Sequence, residues 1–388
     1  MAYSLVCRLS DRGSEGYHVR LTLPDGRESE RRLANAEFLR LRNIGFAFQS
    51  MEAELIGAEF FSSLFAGAEP LLDEVIARAA EEPDYLARVL LEITDRDLDY
   101  LPWEFAMLGK AEVPAFEIVR SVSVASRLAD KVPTLPFRVL VANMGLPHED
   151  TQTFPLRTVL LRIFGDAERL TNVFHPSTMA GVDRDELVGV LAQSRYEIVH
   201  LQVLTDWLHE GDQRSQGMIA APGDGPSLVA STLLAPLVRA QTRLLILHLR
   251  RQPYDLPQAA QLVHLARGIV EGGGPAVLIV PFDPPDPAGG TVMLNRLYDL
   301  IVHDQPLDAA VHLARVYELL SQSAASTDRS IAARPILMLG QGGENLLRVS
   351  PIAVDLLQRT GEVRSDISHL SARLERLTFH STVDLVSH

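Results

Sequence analysis

Two histidines, His200 and His248, are the residues of this sequence whose type and position best suit proton transfer or metal binding. Each lies within a largely apolar run that predicts a buried strand. Because side chains alternate along a strand, His200 shares a face with Gln202 and Leu204, and His248 shares one with Arg250. If the two strands are neighbours, the imidazoles lie close together. Two ligands without a third histidine or a carboxylate make a poor zinc site, so the pattern favours hydrogen-bonded histidines near the end of a sheet.

The common catalytic motifs are absent from the sequence. GxxxxGK[ST] does not occur, and the glycines at 272–274 precede a strand, whereas a phosphate cradle needs glycines that follow one. GxSxG and HExxH are also missing. The single cysteine, Cys7, excludes an intrachain disulfide and a multi-cysteine zinc site. The sequence therefore predicts neither a cofactor nor a metal ion.

Charge and hydropathy exclude two classes of partner. The chain has 36 Lys and Arg against 50 Asp and Glu, a net charge of −14, and no basic cluster, so it would repel a phosphate backbone. Its apolar runs are much shorter than the about 20 residues of a membrane helix, and its first residues lack the pattern of a signal peptide. We expect a cytoplasmic protein that binds no nucleic acid and no membrane, and its one cysteine suits a reducing compartment.

Strands and helices alternate regularly beyond residue 136. Four apolar runs, 139–142, 198–204, 244–249 and 277–282, are typical of strands that are buried on both faces of a parallel sheet. Helical patterns occur at 156–170, 184–192, 256–270, 293–302 and 306–320, and a last strand is predicted at 335–339. This alternation predicts βαβ crossovers in an α/β three-layer sandwich, with the strand order left open.

The first part of the chain has a less regular pattern. It predicts strands at 4–9, 17–23 and 116–124 and a helix at 51–65. The run 86–93 fits either a helix or a buried strand, and we favour the strand. Pro133 and Pro136 mark a linker. We therefore predict a smaller α+β N-terminal domain at 1–132, an α/β domain at 133–345 and a polar tail at 346–388, with a further helical pattern at 367–377.

Six segments of the chain resemble elements of the CHAT family of caspase-like peptidases, and they occur in the same order as in that family. The most distinctive is Arg-Tyr-Glu-Ile-Val-His-Leu-Gln at 195–202, which resembles the family's first catalytic strand, and Leu-Pro-Trp-Glu-Phe at 101–105 resembles its LPWELL element. The others lie at 242–248, 269–278, 295–298 with 306–311, and 335–339. The resemblance implies a caspase-like three-layer sandwich with a mostly parallel central sheet, preceded by the smaller N-terminal domain.

The resemblance also implies where catalytic residues would lie, at the carboxyl ends of two adjacent strands. In the family the first strand ends in His-x-x-x-His-Gly, where this chain has His200, Leu204 and Thr205. The second ends in Asn-Ala-Cys, and Arg250 occupies the place of the cysteine. Leucine cannot transfer a proton and a guanidinium is not a nucleophile, so we predict a degenerate member without catalytic residues.

Four residues near these strand ends are candidate binding residues: Trp207, Arg250, Arg251 and Tyr254. The two arginines could pair with Asp206 and Glu210 and fill the former cleft, or could bind an acidic or phosphorylated peptide. The aromatic residues could form a binding surface or cap the core. Trp103, in the LPWE element, is more typical of a core anchor.

Two functions follow as alternatives. The first is a pseudo-protease that serves as a protein-binding scaffold or regulatory module in a bacterial signalling or defence system. Its partner would be another protein, such as an active protease, an effector or a sensor, and a homo-oligomer is a further possibility. The second is an active hydrolase with relocated catalytic groups, in which His200, His209 or His248 acts as the base.

Overall fold

The structure is a computed structural model of the 388-residue chain. It describes residues 4–11, 13, 16–47, 53–81, 86–110, 113–128, 131, 133, 135–144, 174–204, 218–219, 228–250, 256–280, 291–303, 305–321 and 335–348. The helices predicted at 156–170 and 367–377, and the tail beyond Arg348, lie outside these residues.

One sheet of eleven strands runs through the described part of the chain. Its strands are β1 Ser4–Asp11, β2 Tyr17–Thr22, β3 Glu28–Leu33, β4 Arg88–Ile93, β5 Glu117–Ala125, β6 Phe137–Met144, β7 Phe174–Val182, β8 Ile198–Leu204, β11 Leu244–Arg250, β12 Ala276–Val280 and β13 Ile336–Gln341. Two short strands, β9 Met218–Ile219 and β10 Leu228–Val229, pair with each other outside it.

The sheet consists of two parallel blocks that run in opposite directions. The strand order is β3-β2-β1-β4-β5-β13-β12-β11-β8-β6-β7. Strands β1, β4, β5 and β13 are parallel to one another, as are β12, β11, β8, β6 and β7. The two blocks meet in the antiparallel pair β12–β13, and β2 and β3 add an antiparallel extension. The predicted mostly parallel sheet is confirmed.

Helices cover both faces of this sheet. The helices of the described part are α1 Asn35–Ala47, α2 Ala53–Phe65, α3 Glu69–Glu81, α4 Arg96–Asp99, α5 Arg184–Gln193, α6 Ala230–Arg239, α7 Leu256–Glu271, α8 Thr291–Val302 and α9 Leu307–Ser321, with 3-10 turns at Trp103–Leu108 and Gly343–Asn345. One apolar cluster joins the first face to α1–α7, and another joins the second face to α8 and α9. The protein is therefore an α/β three-layer sandwich, as the sequence predicts.

Local sequence signals explain several element boundaries. Asp183 caps α5, since its side chain accepts a hydrogen bond from the Glu186 amide at 2.8 Å, and the Glu186 carboxylate accepts one from the Asp183 amide at 3.2 Å. Gly273, with a φ of 75°, allows the chain to leave α7 and enter β12. The ambiguous run 86–93 forms a strand, β4, because it pairs with β1 and β5 and is covered on both faces.

The sheet is continuous across the domain boundary predicted at 132/133. Strand β13 pairs with β5, and helix α9 places Asp308 2.6 Å from Arg88 of β4. Glu117 of β5 contacts Arg315 and His312 of the same helix at 3.0 and 3.2 Å. The two regions thus share one sheet and several buried ion pairs, and their division into separate domains stays a prediction.

The two outer strands of the sheet differ in composition. Strand β3 has a charged residue at four of its six positions, and Arg31 pairs with Glu37 of α1. Strand β7 has no Asp, Glu, Lys or Arg, but it contains Pro176 and Gly181, whose φ is 66°. The register between β6 and β7 shifts near Gly181, which marks a β-bulge.

No single helix in the described part is long and apolar enough to cross a membrane, and only α2 and α3 taken together, bent by 104°, reach that length and composition.

Candidate functional site

The candidate site lies at the edge of the sheet where β6, β8, β11 and β12 end. These strands are parallel, so their carboxyl ends share one edge. From β6 the chain turns outward to β7, whereas β8, β11 and β12 follow on the other side of β6. The strand order thus reverses between β6 and β8, and in open α/β sheets ligands bind beside such a reversal, beyond the carboxyl ends.

The second face of the sheet changes from apolar to polar towards this edge. The register aligns residues of β6, β8 and β11 in levels across the three strands. From the amino end to the carboxyl end, these levels are Val139–Ile198–Leu244, Val141–His200–Ile246 and Asn143–Gln202–His248. Asn143, His200, Gln202 and His248 together form what we call the polar cluster, and all four are at most 4% exposed.

His200 and His248 are hydrogen-bonded to each other. The distance from His200 Nε2 to His248 Nδ1 is 3.2 Å, so one ring nitrogen donates to the other. The interpretation of these residues as a hydrogen-bonded pair near the end of the sheet is confirmed. The described residues contain no group of three histidine, cysteine or carboxylate side chains that could hold a metal ion.

Asn143 is the member of the polar cluster that sequence reasoning missed. Its side chain is fully buried, and neither Oδ1 nor Nδ2 has a hydrogen-bond partner in the described structure. The available signal was a polar residue at the end of the apolar run Val-Leu-Val-Ala-Asn, which parallels Gln202 at the end of Ile-Val-His-Leu-Gln. The signal is weak in the sequence because the register that aligns the two residues is not readable there.

The two positions that the resemblance aligns with catalytic residues of the CHAT family lie side by side in the sheet. Leu204 and Arg250 are the last residues of β8 and β11, and they are direct partners in the register of these adjacent parallel strands. Trp207, Arg251 and Tyr254, the other candidate binding residues, lie outside the described residues, as do Asp206, His209 and Glu210. All of them follow β8 or β11 in the sequence within six residues.

Cys7, the only thiol of the chain, is far from this edge. It lies on β1, and β4, β5, β13 and β12 separate β1 from β11. At about 4.8 Å between neighbouring strands, this separation is roughly 24 Å. Cys7 is fully buried, and burial, with a smaller contribution from Glu92, raises its pKa to about 12. The thiol is therefore protonated at neutral pH and cannot reach the polar cluster.

The LPWE element is part of the core. Trp103 is fully buried, and its Nε1 donates to the Leu98 carbonyl at 2.8 Å. Glu104 accepts two hydrogen bonds from Arg120 of β5, from Nε at 2.7 Å and from Nη2 at 2.8 Å. Arg267 of α7 donates from Nε to Asp99 at 2.5 Å beside this pair. The interpretation of Trp103 as a core anchor is confirmed. Glu104 attaches the 3-10 turn to β5, and Asp99 attaches α4 to α7.

Two comparisons with known proteins give no support for a family of this chain. A scan against protein-family models finds no matching family, and a search of the curated proteins finds no matching relative.

Proposed function

We propose that this chain is a catalytically inactive, CHAT-like pseudo-protease that acts as a protein-binding scaffold or regulatory module. The observation that carries the proposal is the pairing of Leu204 with Arg250 at the carboxyl ends of β8 and β11. In the CHAT family, a catalytic histidine and a catalytic cysteine lie at the ends of two adjacent strands. Leu204 and Arg250 lie at the ends of two adjacent strands in this chain, which supports the proposal. Neither leucine nor arginine can supply the chemistry of a histidine or cysteine.

The position of the thiol supports the absence of cysteine-protease chemistry. Cys7 is buried and protonated, roughly 24 Å from β11 by strand spacing. The alternative, an active hydrolase, would need His200, His209 or His248 as a base in an open cleft. His200 and His248 are at most 4% exposed and hydrogen-bond each other, which favours a structural role for the pair.

The partner in this proposal is another protein. Family resemblance suggests an active protease, an effector or a sensor of a bacterial signalling or defence system, in the cytoplasm. The binding residues would be Trp207, Arg250, Arg251 and Tyr254, since all four stand at or just after the ends of β8 and β11. In a protein with a net charge of −14, two adjacent arginines at a strand end offer a local site for an acidic segment.

The test is capture of a partner by the purified chain from its native cell, with identification by mass spectrometry. We expect a protein that is retained intact by the wild type and lost with Arg250→Ala/Arg251→Ala. The matched control, Arg32→Ala/Arg239→Ala, removes two exposed arginines from β3 and α6 and should retain it. Cleavage of the partner or of peptides by the purified chain, or recovery of small molecules alone, would contradict the proposal.

A further inference from the structure

The buried amide of Asn143 is the one member of the polar cluster whose presence the fold does not explain. The side chain is fully buried and makes no hydrogen bond with the described residues. A buried polar group without a partner destabilises the folded state, and native proteins keep few of them. Leucine, whose side chain has the same branched arrangement of four heavy atoms, would fit the sheet at this position without that cost. Binding of a ligand by this amide would explain why the residue is asparagine.

The surroundings of Asn143 define the chemistry of that ligand. Gln202 is its direct register partner on β8, and His248 is the partner of Gln202 on β11. The cluster offers amide and imidazole groups, which donate and accept hydrogen bonds, and it contains no carboxylate, ammonium or guanidinium group. An ionised ligand would lose its hydration here without meeting an opposite charge. A neutral group that both donates and accepts hydrogen bonds fits the cluster better than an ionised group does.

A primary carboxamide has this pattern. Its oxygen accepts and its amino group donates, so it can form two parallel hydrogen bonds with the amide of Asn143. The level beneath contains Val141 and Ile246 beside His200, so the two flanking strands present aliphatic groups below the polar level. The cluster also lies at the point where the strand order reverses, where α/β sheets bind ligands.

We propose that the polar cluster is a binding site for a primary carboxamide group, with Asn143 as the residue that recognises it. The group could belong to free glutamine or to a glutamine side chain of a peptide, and both present the same atoms. The site rests on β6 as well as on β8 and β11, and it does not depend on whether the chain cleaves peptides.

The test measures binding of two pairs of probes by isothermal titration calorimetry. The first pair is free glutamine and free glutamate, and the second is the peptide acetyl-Ala-Gln-Ala-amide and its Glu counterpart. We expect one glutamine probe to bind with a Kd of about 1 mM or tighter and its glutamate match to bind about tenfold more weakly or worse. The glutamine probe that binds more tightly identifies the source of the group.

Variants assign the binding to Asn143. Asn143→Leu should lose about tenfold or more in affinity while its Tm without ligand stays equal or rises, because it removes the unpaired amide. Asn345→Leu makes the same change at an exposed position and should bind as the wild type does. If Asn143→Leu does not fold, Asn143→Asp keeps the shape, replaces the amide with a carboxylate and should also lose binding.

Three results would overturn the carboxamide site: no binding of either glutamine probe, equal binding of the glutamine and glutamate probes, or unchanged binding by both Asn143 variants. Assays for peptide fragments and for released ammonia are run on the same samples. Hydrolysis would contradict the pseudo-protease proposal and leave the carboxamide site standing, so the two proposals can fail separately.

Discussion

Buried ion pairs join different elements of this chain, and Glu104 with Arg120 is an example. Glu104 and Arg120 are at most 1% exposed, and each nitrogen that Arg120 directs at Glu104 lies within 2.8 Å of a carboxylate oxygen. Such a pair adds little stability over an apolar pair of the same size, but removal of one partner leaves the other charge poorly compensated in the core. Without Glu104, the nearest carboxylate oxygen that Arg120 keeps is that of Asp99 at 3.5 Å, and Asp99 also pairs with Arg267. Glu104 therefore matters for the fold, although it resembles a surface residue in the sequence.

Neutralisation of Glu104 should destabilise the protein strongly. Glu104→Gln leaves the Arg120 guanidinium without its main counter-charge, and we expect a loss of about 3 kcal/mol in the free energy of unfolding. Urea denaturation followed by circular dichroism measures it. Glu92→Gln is the control, because Glu92 pairs with Arg8, whose side chain is 53% exposed, and this change should cost about 1 kcal/mol or less. Equal losses in the two variants would contradict a structural role for Glu104.

The proposed function depends on the register between strands β8 and β11. It pairs Leu244 with Ile198 at one end and Arg250 with Leu204 at the other, without a shift. Residues paired in this way on neighbouring strands are about 4.8 Å apart, close enough for an imidazole at one position to contact a thiol at the other.

Introduction of a histidine and a cysteine at these two positions should therefore create a reactive thiol. In Leu204→His/Arg250→Cys, the imidazole should lower the pKa of the new thiol. At a pH of about 6, where an ordinary cysteine is almost entirely protonated, we expect iodoacetamide to label the double variant about tenfold faster than Arg250→Cys alone. Mass spectrometry measures the rates, and the buried Cys7 of the wild type should remain unlabelled. Equal rates in the two variants would show that these strand ends do not place the groups in contact.

The sequence predicts an element well where both of its faces are buried. The strands β8, β11 and β12 are apolar throughout most of their length because helices cover both sides of the sheet, and such runs are visible without any knowledge of the fold. Strands β3 and β7 lie at the edges, and neither contains an apolar run, so neither is predicted from the sequence. The edges of a sheet are the part that local patterns describe least well.

The site was predictable only in part, for a related reason. His200 and His248 stand out as polar residues inside apolar runs, and alternation places them on the faces where the structure has them. Asn143 joins them because β6, which precedes β8 by more than fifty residues, lies directly beside it. That adjacency is a long-range pairing, and no local pattern encodes it.

At the scale of the whole molecule, the two parallel blocks are joined into one sheet. The pair β12–β13 connects the blocks. Helix α9, which lies between these two strands in the sequence, contacts β4 and β5 through Asp308, His312 and Arg315. The buried groups of both blocks should therefore contribute to one unfolding transition, including groups that titrate only at high pH.

Stability should fall at alkaline pH, in part because of Cys7. Burial raises its pKa in the folded state to about 12, from an ordinary value of 9.0 for a cysteine thiol. Its contribution is therefore complete below pH 9 and is lost as the pH rises towards 12, because the unfolded chain ionises first. Burial raises the pKa of the Tyr298 phenol too, which acts in the same direction.

The variant Cys7→Ala isolates the contribution of the Cys7 thiol to the loss of stability at alkaline pH. Between pH values of about 8 and 10, we expect the wild type to lose about 1 kcal/mol more unfolding free energy than Cys7→Ala. Urea titrations at several pH values measure the two slopes, so a constant offset from the smaller alanine side chain does not matter. Parallel curves for the two proteins would contradict the burial of the thiol.

The two ends of the sheet bear on how the protein behaves at high concentration. A long sheet grows into fibres when a free outer strand accepts a neighbour, and charges, prolines and bulges each oppose such growth. Strand β3 is charged, whereas β7 contains a proline and a bulge. Each edge of the sheet is therefore protected against growth by different residues. We therefore expect a solution of the protein to remain free of fibrils on storage, and a mutation that removes the safeguard at one margin would leave the other intact.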